Sequence, residues 1–221
     1  MIEHALLSSL GVPHGFGERD DPVPAGVLRP RQVHGAVVVR GSECATSTPP
    51  EADAVLGVVG DGPVAVVTAD CVPVLLASDD GAVVAAVHAG WRGLAAGVVE
   101  AGVAALAAFV PGRSLFAVVG PHIGPCCYEV DQPVIEALGG RYPRQIGSAI
   151  IETRGEHADL DLGALTRSVL RESGLAPFRI GEVERPCTRC DALRFHSYRR
   201  DGPRAGRLLH HIRSNPEETW G

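Results

Sequence analysis

Three side chains that commonly bind transition metals stand where apolar runs of the sequence end. His34 precedes a β-branched run, Cys71 interrupts the join between two apolar runs, and His88 ends a third run. Zinc takes imidazole and thiolate ligands, and three protein ligands with one open position mark a catalytic site, so these residues form a candidate zinc centre. Their separations match no short metal motif. A buried apolar cysteine and hydrogen-bonded structural histidines therefore remain alternatives.

Further polar side chains are candidates for a site, some beside these three in the sequence and others at a helix start or in a later arginine pair. Asp70 is a candidate general base, and its structural alternative is a turn aspartate that caps backbone amides. Trp91 and Arg92 lie at the start of a predicted helix, where they would help to hold phosphate; a core tryptophan beside a surface arginine is the alternative. Arg199 belongs to an arginine pair that would grip an anion through planar guanidinium groups or lie in solvent as surface charge. Gln32 precedes the first histidine.

The cysteines are too sparse for a disulfide scaffold in a chain of 221 residues. Cys187 and Cys190 form a CxxC sequence. A four-cysteine zinc site is expected to need a second such pair, and its absence favours a structural role for this one. Cys126 and Cys127 are adjacent in a stretch rich in Gly and Pro. Packing is one alternative for them, and a nucleophile with His122 as its base is the other.

The apolar patterns predict an α+β chain in which strands form a block and helices are inserted. Residues 6–10 are expected to form a short element in an otherwise irregular segment 1–30, and residues 42–51 a loop. No GxGxxG follows a strand, so the sequence gives no support for a dinucleotide-binding fold. Strands are predicted at 36–40, 64–68, 72–77, 82–88, 115–119, 178–183 and 207–212, and helices at 93–110, 129–138 and 162–172.

Composition is typical of an ordinary globular protein, with 45% hydrophobic and 21% charged residues. The apolar runs are far shorter than the roughly 20 residues that span a bilayer. No signal-peptide pattern opens the chain, so a cytoplasmic location without a membrane partner is expected. A net charge of -6 argues against nucleic acid as a partner. All basic residues are arginines, which excludes lysine Schiff-base chemistry.

Five motifs occur in a fixed order along the chain. They are RQVHG at 31–35, TADCVPV at 68–74, HAGWRG at 88–93, GPHIGPCCYEV at 120–130, and CT at 187–188 with FHSYRRD at 195–201. Over residues 31–212 the sequence closely resembles the laccase-domain family. That family is described as the bacterial peptidoglycan editing factor, as "multicopper polyphenol oxidase", and as a zinc-dependent purine nucleoside phosphorylase and adenosine deaminase.

The resemblance implies a single-domain α/β sandwich over 1–221, with mixed, largely antiparallel sheets flanked by helices. It implies one zinc ion held by His34, Cys71 and His88, which are the ligands proposed above from the residues alone. It also implies a site for a purine nucleoside and a phosphate, both small molecules, beside the metal.

Position relative to that site suggests the remaining roles. Asp70 and Arg92 are the candidate catalytic residues, and Gln32 and Arg199 are candidate substrate contacts. The N-terminal segment 1–30 is expected to be shortened relative to the family, which weakens the case for Arg19 as an anion contact.

The leading hypothesis is therefore a zinc-dependent enzyme that phosphorolyses adenosine and inosine and deaminates adenosine. One alternative is an amidohydrolase that edits peptidoglycan precursors. Another is a non-catalytic or degenerate zinc protein in which Cys126, Cys127 or His122 closes the site as a fourth ligand. Two imidazoles and a thiolate suit copper as well as zinc. A multicopper centre is disfavoured because only His210-His211 are close together among nine histidines. The oligomeric state is left open.

Overall fold

The computed structural model describes residues 1–184 and 187–215. The strands are β1 (His14–Phe16), β2 (Val38–Arg40), β3 (Ala54–Val58), β4 (Val64–Thr68), β5 (Val72–Ser78), β6 (Val83–Ala89), β7 (Leu115–Val119), β8 (Glu129–Asp131), β9 (Ile150–Arg154), β10 (His157–Leu160), β11 (Ile180–Glu182) and β12 (Leu208–Ile212). The helices are α1 (Ala5–Ser8), α2 (Trp91–Ala96), α3 (Val98–Phe109), α4 (Gln132–Arg141), α5 (Ile146–Ala149), α6 (Leu162–Glu172) and α7 (Tyr198–Asp201).

A mixed six-stranded sheet in the order β11-β7-β5-β6-β3-β2 forms the centre of the fold. Its inner strands pair antiparallel, and the two outermost pairs, β11 with β7 and β2 with β3, are parallel. A second, antiparallel sheet has the order β1-β12-β4, and a third, small one has the order β8-β10-β9. The predicted α+β sandwich with mixed, largely antiparallel sheets is confirmed.

The central sheet is covered on both faces because its strands alternate between two hydrophobic cores. Along β5, Val74 and Leu76 join a core that includes residues of α3 and α6. Leu75 and Ala77, between and beyond them, join the other core, which includes residues of β1, β4 and β12. The same period of two separates the faces of β6. Polar side chains at the strand ends are thus left at the rim of the sandwich.

The predicted strands are all present, with ends that differ by a few residues. The single helix predicted over 93–110 is wrong, because Gly97 with φ of 88° divides it into α2 and α3. The helix predicted from residue 129 instead follows β8 and begins at Gln132. Strands β1, β3, β8, β9 and β10 are not predicted from the sequence. In β9 every residue after the first is exposed, so the strand gives no alternating pattern. Within the described residues, no helix has both the length and the apolar character needed to cross a membrane.

Candidate functional site

The structure brings His34, Cys71 and His88 together at one end of the sandwich. Cys71 lies in the tight connection between β4 and β5, and His88 lies one residue before the end of β6. Because β5 and β6 are antiparallel neighbours, Pro73 pairs with His88, and the two ligands come to the same edge of the sheet. His34 approaches from the loop before β2. One ligand atom from each of the three side chains lies within 4.8 Å of the others.

A buried carboxylate, Asp53, holds the His88 side chain and the backbone of His34 in place. Its Oδ1 atom accepts a hydrogen bond of 2.8 Å from His88 Nδ1 and one of 2.9 Å from the His34 backbone N–H. Its Oδ2 atom accepts from the backbone of Gly35 at 2.6 Å and of Val33 at 3.2 Å. A carboxylate accepts the Nδ1 proton of His88 and leaves Nε2 free as a metal ligand.

The backbone of His34 has a φ of 61°, in the left-handed region that few residues other than glycine adopt. Three successive N–H groups, from residue 33 to residue 35, point at Asp53 in this loop. The carboxylate therefore stabilises a backbone conformation that would otherwise cost roughly 1–3 kcal/mol. Sequence reasoning missed Asp53, since a single aspartate before a strand gives no signal of what it will contact.

The three side chains also alter one another's protonation. Burial opposes ionisation of the Cys71 thiol, but hydrogen bonds from His34 and His88 outweigh it and lower the pKa of Cys71 to about 6. Burial likewise opposes the charged form of His88, but Asp53 and Cys71 raise the pKa of His88 to about 9. The cluster therefore favours a thiolate at neutral pH, which is the form of cysteine that binds metals.

Gly90 leaves the space that the cluster needs. A Cβ atom at this position would lie 2.9 Å from Cys71 Sγ and 3.1 Å from His34 Cδ2. Any other residue would displace two of the three ligand side chains. The glycine of the HAGWRG sequence is thus explained by the packing of ligands against its backbone.

The cluster opens into a cavity of about 910 Å³. The walls carry arginines, aromatic rings and, among the described residues, a single carboxylate, that of Asp70. Such a cavity is electropositive beside the metal-ligand cluster and suits an anionic ligand. The arginines are Arg29, Arg31, Arg92, Arg199 and Arg207, and the aromatic residues are Trp91, Tyr128 and Tyr198.

Asp70 and Gln32 line this cavity and are both anchored. Asp70 is buried and accepts from Thr188 Oγ1 at 2.6 Å and from the Arg199 backbone N–H at 2.7 Å. The Gln32 amide donates to the Val67 carbonyl and accepts from the Val67 N–H, each at 2.8 Å, as a neighbouring strand would. Both residues therefore shape the wall, whatever part they take in the chemistry.

The arginines differ in how far they are already engaged. Arg199 stacks on Tyr128 at 5.3 Å and donates to the Glu129 carbonyl at 3.0 Å. Arg92 stacks on Trp91 at 4.4 Å and has no hydrogen-bond or ion-pair partner among the described residues. The guanidinium N–H groups of Arg92 are therefore available to a ligand. Its position at the cavity agrees with the anion-binding part assigned to it above.

Arg19 does not line the cavity. Its guanidinium donates to the Ala192 carbonyl at 3.2 Å, and its backbone N–H donates to the Arg194 carbonyl at 2.7 Å. The structure therefore gives Arg19 a part in holding the segment around residue 192, and no contact with the cavity that would support it as an anion contact.

The remaining candidates lie at a second place. Cys126 and Cys127 come together with Cys187 and Cys190, so the expectation that a four-cysteine cluster needs two CxxC pairs is wrong. An adjacent pair in one loop serves equally well. Neither Cys126 nor Cys127, nor the buried His122, lines the large cavity. The alternative in which one of them closes the first cluster as a fourth ligand is therefore contradicted.

Fold and site together define a class of protein: a mixed α/β sandwich with a three-residue candidate metal centre in an arginine-lined cavity. A family model described as "Multi-copper polyphenol oxidoreductase laccase" matches residues 21–215. The chain belongs to this family, which confirms the resemblance seen in its motifs.

Relatives in this family carry a more specific name. The chain is 42% identical over 184 residues to a "Purine nucleoside phosphorylase" of Xylella fastidiosa, covering 80% of this chain and 68% of that protein. It is 34% identical over 198 residues to "Purine nucleoside phosphorylase YlmD" of Geobacillus stearothermophilus, covering 85% and 72%. A crystal structure of a Neisseria meningitidis protein superposes with a TM-score of 0.78 at 34% identity, covering 95% of this chain and 78% of that one.

Proposed function

We propose that this protein is a zinc-dependent purine nucleoside phosphorylase that acts on inosine and adenosine. The observation that carries the proposal is the shared wall of one cavity, where the three metal-ligand side chains meet arginine guanidinium groups and aromatic rings. The names of the relatives support the same reaction. Among the described residues no fourth side chain joins the three donors, which favours an open catalytic site over a closed structural one.

Phosphate, the first substrate, fits the arginine side of the cavity. Guanidinium groups bind phosphate oxygens through two parallel N–H donors. Arg92 is the best placed of the arginines, because it has no hydrogen-bond or ion-pair partner in the described part of the chain and its plane is fixed by stacking on Trp91. Arg199 lies in the same wall and would add a second positive charge.

The purine base, the second substrate, fits the aromatic side. Trp91, Tyr128 and Tyr198 line the cavity, and flat rings of this kind stack on heterocyclic bases. Two of these rings also carry a stacked arginine, so base and phosphate would bind next to each other. Proximity of this kind is what a reaction between the two substrates requires.

In phosphorolysis a phosphate oxygen forms a bond to ribose C1′ while the bond from C1′ to purine N9 breaks. The electron pair passes to the base, which is protonated, and ribose 1-phosphate is released. The arginines hold and orient the phosphate, and the aromatic rings orient the base. A zinc ion held by His34, Cys71 and His88 would supply Lewis-acid polarisation of a bound group.

Adenosine deamination is the second activity proposed for this cavity. Water adds at purine C6, and the amino group leaves as ammonia after it gains a proton. Asp70 is the single carboxylate among the described cavity-lining residues, and we assign it the proton transfer. Two hydrogen bonds occupy part of its acceptor capacity, and a carboxylate has further lone pairs for a substrate or water.

The test is product analysis with purified, zinc-loaded protein. Inosine should give equal amounts of hypoxanthine and ribose 1-phosphate only when phosphate is present, and adenosine should also give inosine. Cys71→Ser should abolish both reactions, whereas Cys44→Ser, a buried cysteine outside both clusters, should retain them. Arg92→Ala should raise the KM for phosphate at least about tenfold. Absence of purine products from the zinc-loaded protein would refute the proposal.

Editing of peptidoglycan precursors would use the same cavity, since its arginines also suit an anionic muramyl peptide. Amino-acid release from such a peptide, without purine turnover, is the result that would favour the amidohydrolase. A laccase remains disfavoured on residue grounds. All histidines fall in the described part of the chain, and only His34 and His88 join a candidate ligand cluster there.

A further inference from the structure

A second group of metal-ligating side chains lies apart from the large cavity. Cys126 and Cys127 follow β7 in an irregular loop, and Cys187 and Cys190 belong to the segment after β11. All four are free thiols, and their sulphur atoms lie within 4.8 Å of one another. The fold thus brings two cysteine pairs from separate loops to one place.

The distances match a tetrahedral metal site. Cys126 Sγ lies 3.6 Å from Cys187 Sγ and 3.6 Å from Cys190 Sγ, and Cys127 Sγ lies 3.4 Å from Cys190 Sγ. Zinc bound to four thiolates at about 2.3 Å places neighbouring sulphurs about 3.8 Å apart. A disulfide would need one pair to approach to about 2.05 Å while leaving the others behind.

The backbone around the sulphurs is also arranged for a ligand cluster. Positions 122 and 187 form a parallel bridge, and the Thr188 N–H donates to the His122 carbonyl at 2.9 Å. This pairing holds the loop after β7 beside the segment that carries Cys187 and Cys190.

Gly124 packs directly against the cluster. A Cβ atom there would lie 3.3 Å from Cys187 Cβ and 3.4 Å from Cys126 Sγ. The cysteine side chains therefore lie within van der Waals contact of the loop backbone at this glycine.

We propose that these four cysteines bind a thiophilic, tetrahedral divalent cation, with zinc as the favoured ion, in a structural site separate from the His34-Cys71-His88 cluster. Four protein ligands leave no open position, so this site stabilises structure and does no chemistry. Tetrathiolate coordination selects zinc or iron over the oxygen-loving cations.

The four-cysteine cluster connects two segments of the chain, one of which supports Asp70. It ties the loop after β7 to the segment that carries Thr188, whose hydroxyl donates to Asp70 in the cavity wall. Arg200 holds the same segment through the Thr188 and Arg189 carbonyls, at 3.1 and 3.2 Å. Metal binding by the four cysteines would therefore fix the support of Asp70 at a distance from the substrate.

The first test separates the two clusters by metal analysis. In a His34→Ala, Cys71→Ser background the purified chain should still contain one zinc per molecule. Adding Cys190→Ser should remove that zinc, whereas adding Cys44→Ala, a buried cysteine outside the cluster, should not. A zinc-free background protein, or zinc retained with Cys190→Ser, would overturn the proposal. This outcome does not depend on any purine activity.

The second test needs no substitution, which guards against a variant that fails to fold. Cys126 and Cys190 are exposed, whereas Cys44 is buried. After a chelator has removed the metal, both exposed cysteines should therefore be alkylated before Cys44 reacts. The zinc-loaded protein should be protected at the four cluster cysteines. Equal alkylation rates with and without zinc would refute the site. Disulfide formation among the four cysteines would also refute it. Mass spectrometry would then show cysteines that are alkylated only after a reductant is added.

Discussion

The three residues of the first cluster stand out in the sequence as metal-ligand candidates because each lies where an apolar strand pattern begins or ends. His88 and Cys71 stand out in this way, and His34 follows from its place before the next predicted strand. Asp53 cannot be found like this, since its importance arises from contacts with residues 18 to 35 positions away. The four-cysteine cluster escapes for the same reason, because its two pairs lie some 60 residues apart.

Asp53→Asn tests the part of this carboxylate as a positioning residue. The amide would present N–H donors to backbone N–H groups of the loop and would weaken the orientation of His88. We expect zinc affinity to fall about 10- to 100-fold, measured by competition with a chelator of known affinity. Asp61→Asn is the matched control, since Asp61 also accepts from a backbone N–H but in a turn away from the site. Equal affinities in the two variants would contradict the assignment.

At the scale of elements, the site depends on a break in one helix and on short connections between strands. The sequence from 93 to 110 is rich in Ala and Leu and predicts a continuous helix. Gly97, in the left-handed region, ends α2 and lets α3 start in a new direction. Helix α2 then carries Trp91 and Arg92 at the cavity, while α3 packs on the central sheet. Hydrophobic pattern alone does not show this break because both helices are apolar.

Gly97→Ala should therefore destabilise the protein. A φ of 88° places an alanine in a strained conformation that costs about 1–2 kcal/mol, and its Cβ would also displace the Arg141 side chain. Gly140→Ala is the control, because this glycine lies inside α4 with nothing within 4 Å of its added Cβ. The control should be neutral or gain up to roughly 1 kcal/mol. Urea denaturation measures both, and equal effects would contradict the account of the break.

At the scale of the whole molecule, the two cores hold polar groups whose protonation affects folding. His210, in β12, is buried between the sheets, and its Nε2 atom lies 2.8 Å from Thr68 Oγ1 at the end of β4. Burial, with smaller effects of His211 and His88, lowers the pKa of His210 to about 3. The folded chain therefore binds one proton fewer here than the unfolded chain when the pH falls below about 6.5.

This difference makes stability depend on pH in a definite direction. The contribution of His210 is fully present above pH 6.5 and is lost progressively between that pH and about 3. Replacing His210 by Gln removes the titration and keeps a hydrogen-bonding group near Thr68. Between pH 7.5 and 5.5 the variant should lose about 1.4 kcal/mol less unfolding free energy than the unsubstituted chain.

Chemical denaturation at the two pH values, with equal metal content, measures this double difference. His157→Gln, at an exposed position in the small sheet, serves as the control. Parallel pH profiles of the His210 variant and the unsubstituted chain would show that His210 is not held neutral in the folded state.

The central claim is that two strand-end ligands and one loop ligand meet around a single ion with one position left for substrate. Anomalous diffraction at the zinc edge, on crystals of the zinc-loaded protein, tests it most directly. The account predicts a peak about 2.0–2.3 Å from one nitrogen each of His34 and His88 and from Cys71 Sγ, with a fourth ligand that is not a protein side chain. No peak at these atoms, or a fourth side chain bound to the ion, would contradict it.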